Sequence, residues 1–119
     1  MKKGFVGKIE ELTVTNESFR KVLYTAVHCQ LVLMNLSPSE EIGMETHEGD
    51  QFFRFEEGEG KVIIDGNTYT VKNGDAVLVP SGSTHNVINT SDTHPLKLYT
   101  LYAPPHHKDN RNPTSPDPW

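Results

Sequence analysis

The sequence predicts an all-β fold of two packed sheets, and three observations carry that prediction. Short runs rich in Val, Ile, Leu, Phe and Tyr recur between turn residues from about residue 19 to residue 102. No window longer than about ten residues keeps a helical period. The dipeptides Asp65-Gly66 and Asn73-Gly74 supply residues that accept positive φ in tight turns. Strands with no helices to cover them must bury their apolar faces against one another, and a jelly roll is one arrangement that does so. Alternation alone does not separate it from other β-sandwiches.

Taken in order, residues 1–18 are expected to form an N-terminal arm or first strand, with a short helix over Lys8 to Leu12 as an alternative and Thr15-Asn16-Glu17-Ser18 as a turn. Residues 19–103 form the expected barrel. Its first strands, Phe19 to Val27 and Gln30 to Leu36, are aliphatic and β-branched runs, and Gln51 to Glu56 carries the three phenylalanines of FFRF. Gly60 to Ile64 and Thr68 to Val71 flank Asp65-Gly66, so VIIDGNTYTV reads as a hairpin. Ala76 to Val79, Asn86 to Thr90 and Leu96 to Tyr102 complete eight predicted strands. Residues 104–119 are a Pro-rich tail. From Ala103 onward five of the eight prolines fall within seventeen residues, which opposes ladder hydrogen bonding and predicts an extended, partly disordered arm.

At 119 residues the chain makes one domain, burying roughly two thirds of the surface its unfolded form exposes. Its net charge of −5, with no run of lysine or arginine, argues against a nucleic-acid or anionic-membrane partner. The single cysteine, Cys29, leaves no internal disulfide, and a reducing cytoplasm is the expected location. Lys2 and Lys3 are followed by glycines and charges instead of the apolar run of a signal peptide, and no segment approaches membrane-spanning length.

The stretch GDAVLVPSGSTHNVIN carries the sharpest signal. Gly74, Pro80, Gly82, His85 and Asn89 fill every slot of a spacing of Gly, five residues, Pro, one, Gly, two, His, three, Asn. This resembles the second motif of the cupin family, whose fold is a jelly-roll double-stranded β-helix. The first cupin motif lies partly matched upstream: His47 stands on its second histidine, Gln51 on its glutamate and Gly58 on its closing glycine. Glu45 stands where the first histidine belongs, and Ser39 where the opening glycine belongs.

The resemblance implies a metal site built from Glu45, His47, Gln51 and His85. Glu45 and His47 lie two apart and share a strand face; Gln51 keeps that parity if the Glu48-Gly49-Asp50 turn preserves it, so these three are expected on one wall with His85 closing the set from across the barrel. The usual cupin set of three histidines and one glutamate carries one negative charge, and here Glu45 restores the charge that Gln51 loses. Two imidazoles and a carboxylate suit non-haem iron, while manganese, nickel and zinc are equally compatible with nitrogen and oxygen donors. Glu45 is alternatively a base. A further alternative is a barrel that is a cupin by fold only, with Glu45 in solvent and Gln51 satisfying backbone groups.

Phe53 and Phe55 share parity with Gln51 and are expected inside, as core or as the apolar wall of a substrate pocket, with Tyr99 or Tyr102 offering a hydroxyl. His28 and His94 are expected exposed, and the His106-His107 pair solvated. No phosphate loop and no nucleophile with an activating base is evident. The expected function is a metal-dependent enzyme isomerising, tautomerising or ring-opening a small sugar or a keto or enol acid, acting as a homodimer. The alternatives are an iron dioxygenase and a non-catalytic metabolite-binding or sensing module.

Overall fold

The computed structural model of the protein describes residues 3–106. After helix α1 (Ile9–Thr15) come nine strands: β1 (Arg20–Thr25), β2 (Gln30–Leu36), β3 (Glu45–Thr46), β4 (Asp50–Glu57), β5 (Glu59–Ile64), β6 (Asn67–Lys72), β7 (Ala76–Val79), β8 (Thr84–Asn89) and β9 (Leu96–Ala103). They form two antiparallel sheets, a five-stranded one in the order β1-β2-β9-β4-β7 and a four-stranded one in the order β3-β8-β5-β6. This is the jelly-roll sandwich that the sequence predicts. Asp65 at φ 49° and Gly66 at φ 85° make the two-residue turn that joins Ile64 to Asn67, so the expected hairpin is present. Ser39 has φ 65°, the left-handed backbone that favours glycine, at the position where the first motif's glycine is replaced.

Two elements differ from expectation. The segment before residue 19 holds a helix instead of a strand. It begins one residue later than the alternative reading placed it and runs three residues further, with Glu10 and Glu11 in its first turn where the helix dipole favours acids. It lies on the outer face of the five-stranded sheet, where the Lys97 ammonium donates to the Val14 carbonyl at 2.5 Å. Strand β3 is absent from the eight predicted strands, although the parity of Glu45 and His47 assumes extended chain there, and it ends at Thr46, before His47.

The register sorts the interior into rows. In the five-stranded sheet Met34, Leu98 and Phe55 stand side by side, Val32, Thr100 and Phe53 form the next row, and Gln30, Tyr102 and Gln51 the one after. In the facing sheet Glu45 and His85 are direct partners, with Ile64 beyond them. One end of the barrel is therefore apolar and the other is lined by hydrogen-bonding groups. At the apolar end the approach is close: a Cβ on Gly60 would stand 2.9 Å from the Leu96 side chain and 2.3 Å from the Ile88 carbonyl oxygen, so only glycine fits.

Candidate metal centre

Two loops bring the histidines together. Pro80 to Ser83, between β7 and β8, is tied to the segment between β3 and β4 by Gly82 N–H donating to the His47 carbonyl at 2.8 Å. Ser81 N–H donates to the Asp50 carboxylate at 2.9 Å, and the Ser81 hydroxyl to the Glu48 carbonyl. The Pro-Ser-Gly turn of the second motif thus anchors the loop that carries a residue of the first.

Glu45, His47 and His85 each place one donor atom within 4.8 Å of the others, a group able to hold a metal ion. His47 Nε2 lies 3.3 Å from Glu45 Oε1, and the rings of His47 and His85 are 5.2 Å apart between centroids. His85 is 2 % exposed. Its Nδ1 lies 3.3 Å from the Ser83 carbonyl, which only accepts, so Nδ1 carries the proton and Nε2 presents its lone pair. That is how a second hydrogen bond orients a ligating imidazole.

Electrostatics favour the same protonation states. Burial holds the His85 imidazole below its ordinary value, although the Ser83 hydrogen bond acts the other way. For Glu45 burial acts upward, but the contact with His47 and the Arg20 charge outweigh it and leave the carboxyl below its ordinary value. A neutral imidazole beside an ionised carboxylate is a donor set for a cation.

The fit to a metal rests on orphaned atoms. His85 Nε2 and Gln51 Oε1 are buried with no hydrogen-bond partner among the described residues, and buried His47 Nε2 has only its 3.3 Å contact with Glu45. Buried polar groups left unpaired cost about 1–3 kcal/mol each, so native proteins rarely keep them without a reason. His47 and His85 would hold a divalent ion through these nitrogens.

The arrangement differs in one respect from the expected wall and opposing histidine. His85 is not across the barrel from Glu45; the two are register partners on β8 and β3, and Gln51 on β4 belongs to the other sheet. The Glu48-Gly49 turn carries the chain from one sheet to the other, which strand parity does not reveal. Gln51 is 2 % exposed, and its amide nitrogen donates to Thr100 Oγ1 at 3.0 Å. Strand β8 starts early enough to hold His85 within the ladder.

The proposed pocket residues separate by face. Phe53 and Phe55 are fully buried in the core, and the Phe53 ring approaches His85 at 6.1 Å. Tyr102 points inward; burial holds its phenol protonated, well above the ordinary range, with the Glu45 charge adding to that and a hydrogen bond with Gln51 acting against it. Tyr99 is a correction. Three residues before Tyr102 on the same strand, it falls on the outer face beside Phe52, 6.5 Å away, and does not reach the site.

Some of the surroundings were missed. Arg20 is 3 % exposed on the inner face, its guanidinium 5.0 Å over the Phe19 ring, and its charge is felt by Glu45, Tyr102 and His106. The signal was available, since Arg20 shares strand parity with Val22. His28 and His94 are exposed as expected. His106, expected in solvent, lies against the site, whereas His107 and the rest of the Pro-rich tail lie outside the described residues. Beside the cluster a cavity of about 310 Å³ is lined by Thr46 to Asp50, Tyr102 and Pro104 to His106.

A jelly roll with two imidazoles and a carboxylate gathered at one end is a barrel with a group able to hold a metal ion, of the kind the motifs imply. The chain belongs to the cupin family: residues 32–102 match the cupin domain model. It is 45 % identical over 112 residues to the uncharacterised protein YrkC of Bacillus subtilis, covering 88 % of this chain and 60 % of that one, so it spans well under the relative's full length. It is similar to the crystal structure of BH2720 from Bacillus halodurans, with a TM-score of 0.91, 40 % identity and coverage of 94 % and 89 % of the two chains. The structure of a predicted oxalate decarboxylase from Thermotoga maritima is more distant, with a TM-score of 0.60, 27 % identity and coverage of 64 % and 66 %.

Proposed function

We propose that the protein is a divalent-metal-dependent enzyme that isomerises, tautomerises or opens the ring of a small oxygen-rich molecule, a sugar derivative or a keto or enol acid. The observation that carries this reading is the gathering of the buried, unpartnered His85 Nε2 and of His47 Nε2 around the Glu45 carboxylate, with donor atoms within 4.8 Å of one another. Glu45, His47 and His85 would hold the ion, with Gln51 Oε1 as a neutral fourth donor. Bound there, a divalent ion supplies Lewis acidity toward a carbonyl and chelation of vicinal oxygens.

The remaining groups orient and exclude. The Tyr102 phenol, kept protonated, donates a hydrogen bond and is no base. In the alternative where Glu45 is a base in place of a ligand, its carboxylate, 30 % exposed and held ionised, is the group able to take a proton from a substrate carbon next to the carbonyl. Phe53 closes the floor beneath His85 and keeps water out from the apolar side. The neighbouring cavity matches the lower range of small-ligand sites, and likeness to a predicted oxalate decarboxylase supports a small carboxylic acid as substrate class.

Oxygen-dependent cleavage is the second reading, favoured by the pairing of two histidines with one carboxylate and decided by whether iron is the native ion. A non-catalytic binding module is the third. Metal-loaded protein incubated with a panel of keto acids, sugar acids and their lactones separates them: product formation without oxygen supports the first and oxygen uptake the second, while a thermal shift without turnover supports the third. We also propose a homodimer in the cytoplasm. The edge strands β6 and β7 carry Tyr69 at 52 % and Leu78 at 66 % exposure, and a second copy would cover them. Light scattering that returned a monomer mass at micromolar concentration would exclude the dimer.

A further inference from the structure

Thr100 places a hydroxyl in an apolar row. On β9 it stands in register between Val32 of β2 and Phe53 of β4, and it is fully buried. Valine would fill the same place without burying a hydroxyl, so this hydroxyl needs a polar partner to be tolerated there. That partner is Gln51, whose amide nitrogen donates to Thr100 Oγ1 at 3.0 Å. Gln51 is itself 2 % exposed and stands one row further toward the polar end, opposite Tyr102.

The two ends of a carboxamide diverge, so an amide whose nitrogen is turned to Thr100 on the apolar side turns its oxygen away from that row. Gln51 Oε1 is buried with no hydrogen-bond partner among the described residues, whereas the nitrogen has its acceptor. The opposite orientation, with the Thr100 hydroxyl donating to Oε1, would satisfy the oxygen and present N–H groups in its place, which repel a cation. The structure holds the orientation that keeps the lone-pair donor unspent. We propose that Thr100 is a positioning residue of the metal centre: by accepting the Gln51 N–H it directs the amide oxygen to the ion held by Glu45, His47 and His85. This rests on the metal-centre reading above, in which Gln51 Oε1 is the neutral fourth donor. Without the hydroxyl, an amide bound to the ion through its oxygen strands a buried N–H against the apolar row. The amide then gains by turning its nitrogen toward the imidazole lone pairs, and the ion must compete with that hydrogen bond.

Cobalt(II) is the probe, titrated into the full chain and read by competition with a chelator and by its visible absorption, which responds to the number and kind of donors. Thr100→Val should lower cobalt affinity by roughly tenfold, the low end of what loss of a group holding a ligand costs, and should give the absorption spectrum of Gln51→Ala. Thr100→Ser keeps the hydroxyl and should bind within about threefold of the unchanged protein. In a Gln51→Ala background Thr100→Val should change affinity by less than about twofold, because Thr100 acts only through Gln51. Thr100→Ala removes the hydroxyl without adding bulk and replaces the valine variant if that one does not fold. Unchanged affinity and spectrum in Thr100→Val, a loss of the same size with and without Gln51, or a loss in Thr100→Ser as large as in Thr100→Val would each overturn the proposal and leave the metal centre standing. Failure of the unchanged protein to bind cobalt at all would instead remove the metal centre itself, and the role of Thr100 with it.

Discussion

The two ends of the barrel interior are built from the same strands and obey opposite rules. Around Met34, Leu36, Phe55, Leu96 and Leu98 the interior is a close-packed apolar cluster, with Arg20 beside Met34 and Asn89 beside Gly60 as buried polar neighbours, and the sheets touch closely enough that Gly60 tolerates no Cβ. Two rows along the same strands, Gln30, Gln51 and Tyr102 face Glu45 and His85, and buried atoms lack partners. The difference teaches where this chain holds its stability and where it gives some up. The apolar end is close-packed; the polar end leaves His85 Nε2 and Gln51 Oε1 without a hydrogen-bond partner among the described residues.

Substitutions at the two ends should therefore fail in different ways. Phe55→Ala removes a fully buried ring from the apolar end and should cost about 3–5 kcal/mol by denaturant unfolding, while the folded fraction keeps its metal affinity. A loss of affinity as large as the loss of stability would break the division between the ends. Metal at about a hundred times its dissociation constant should raise stability by about 2.7 kcal/mol, read as a shift in the unfolding midpoint. His85→Ala should abolish that shift.

Thr100→Val strands the buried Gln51 amide nitrogen and should cost about 1–3 kcal/mol without metal. Adding Gln51→Leu removes the other partner and should recover part of that cost, which a double-mutant cycle of unfolding free energies would show. The smallest effect is expected from deleting Pro113 to Trp119, which should leave the circular dichroism spectrum and the melting midpoint unchanged.

How much of this was legible depends on the range of the signal. The strands and the hairpin were readable because alternation and turn chemistry are local: β2 and β7 run from Gln30 to Leu36 and from Ala76 to Val79, as predicted. The inward set of Phe53, Phe55 and Tyr102 follows from the same period of two, and that period also excludes Tyr99 once Tyr102 is inside. The site was only partly readable. Parity carried Glu45 and His47 to one face, but whether the next turn stays in its sheet or crosses to the other is decided by long-range pairing, and it crosses. Nothing local says where a Pro-rich arm comes to lie, so His106 was placed in solvent. The helix was foreseen only as an alternative because it is short and its hold on the sheet is tertiary.

The central claim is that the polar end is a metal centre whose charge balance has moved from position 51 to Glu45. Calorimetric titration of one divalent metal into the unchanged protein, Glu45→Gln and Gln51→Ala tests it most directly. The account predicts near one ion per chain in the unchanged protein, a large loss of affinity in Glu45→Gln, which removes the anionic donor, and a small loss in Gln51→Ala, which removes a neutral one. Equal, small losses from both substitutions would contradict it, because Glu45 would then be no ligand.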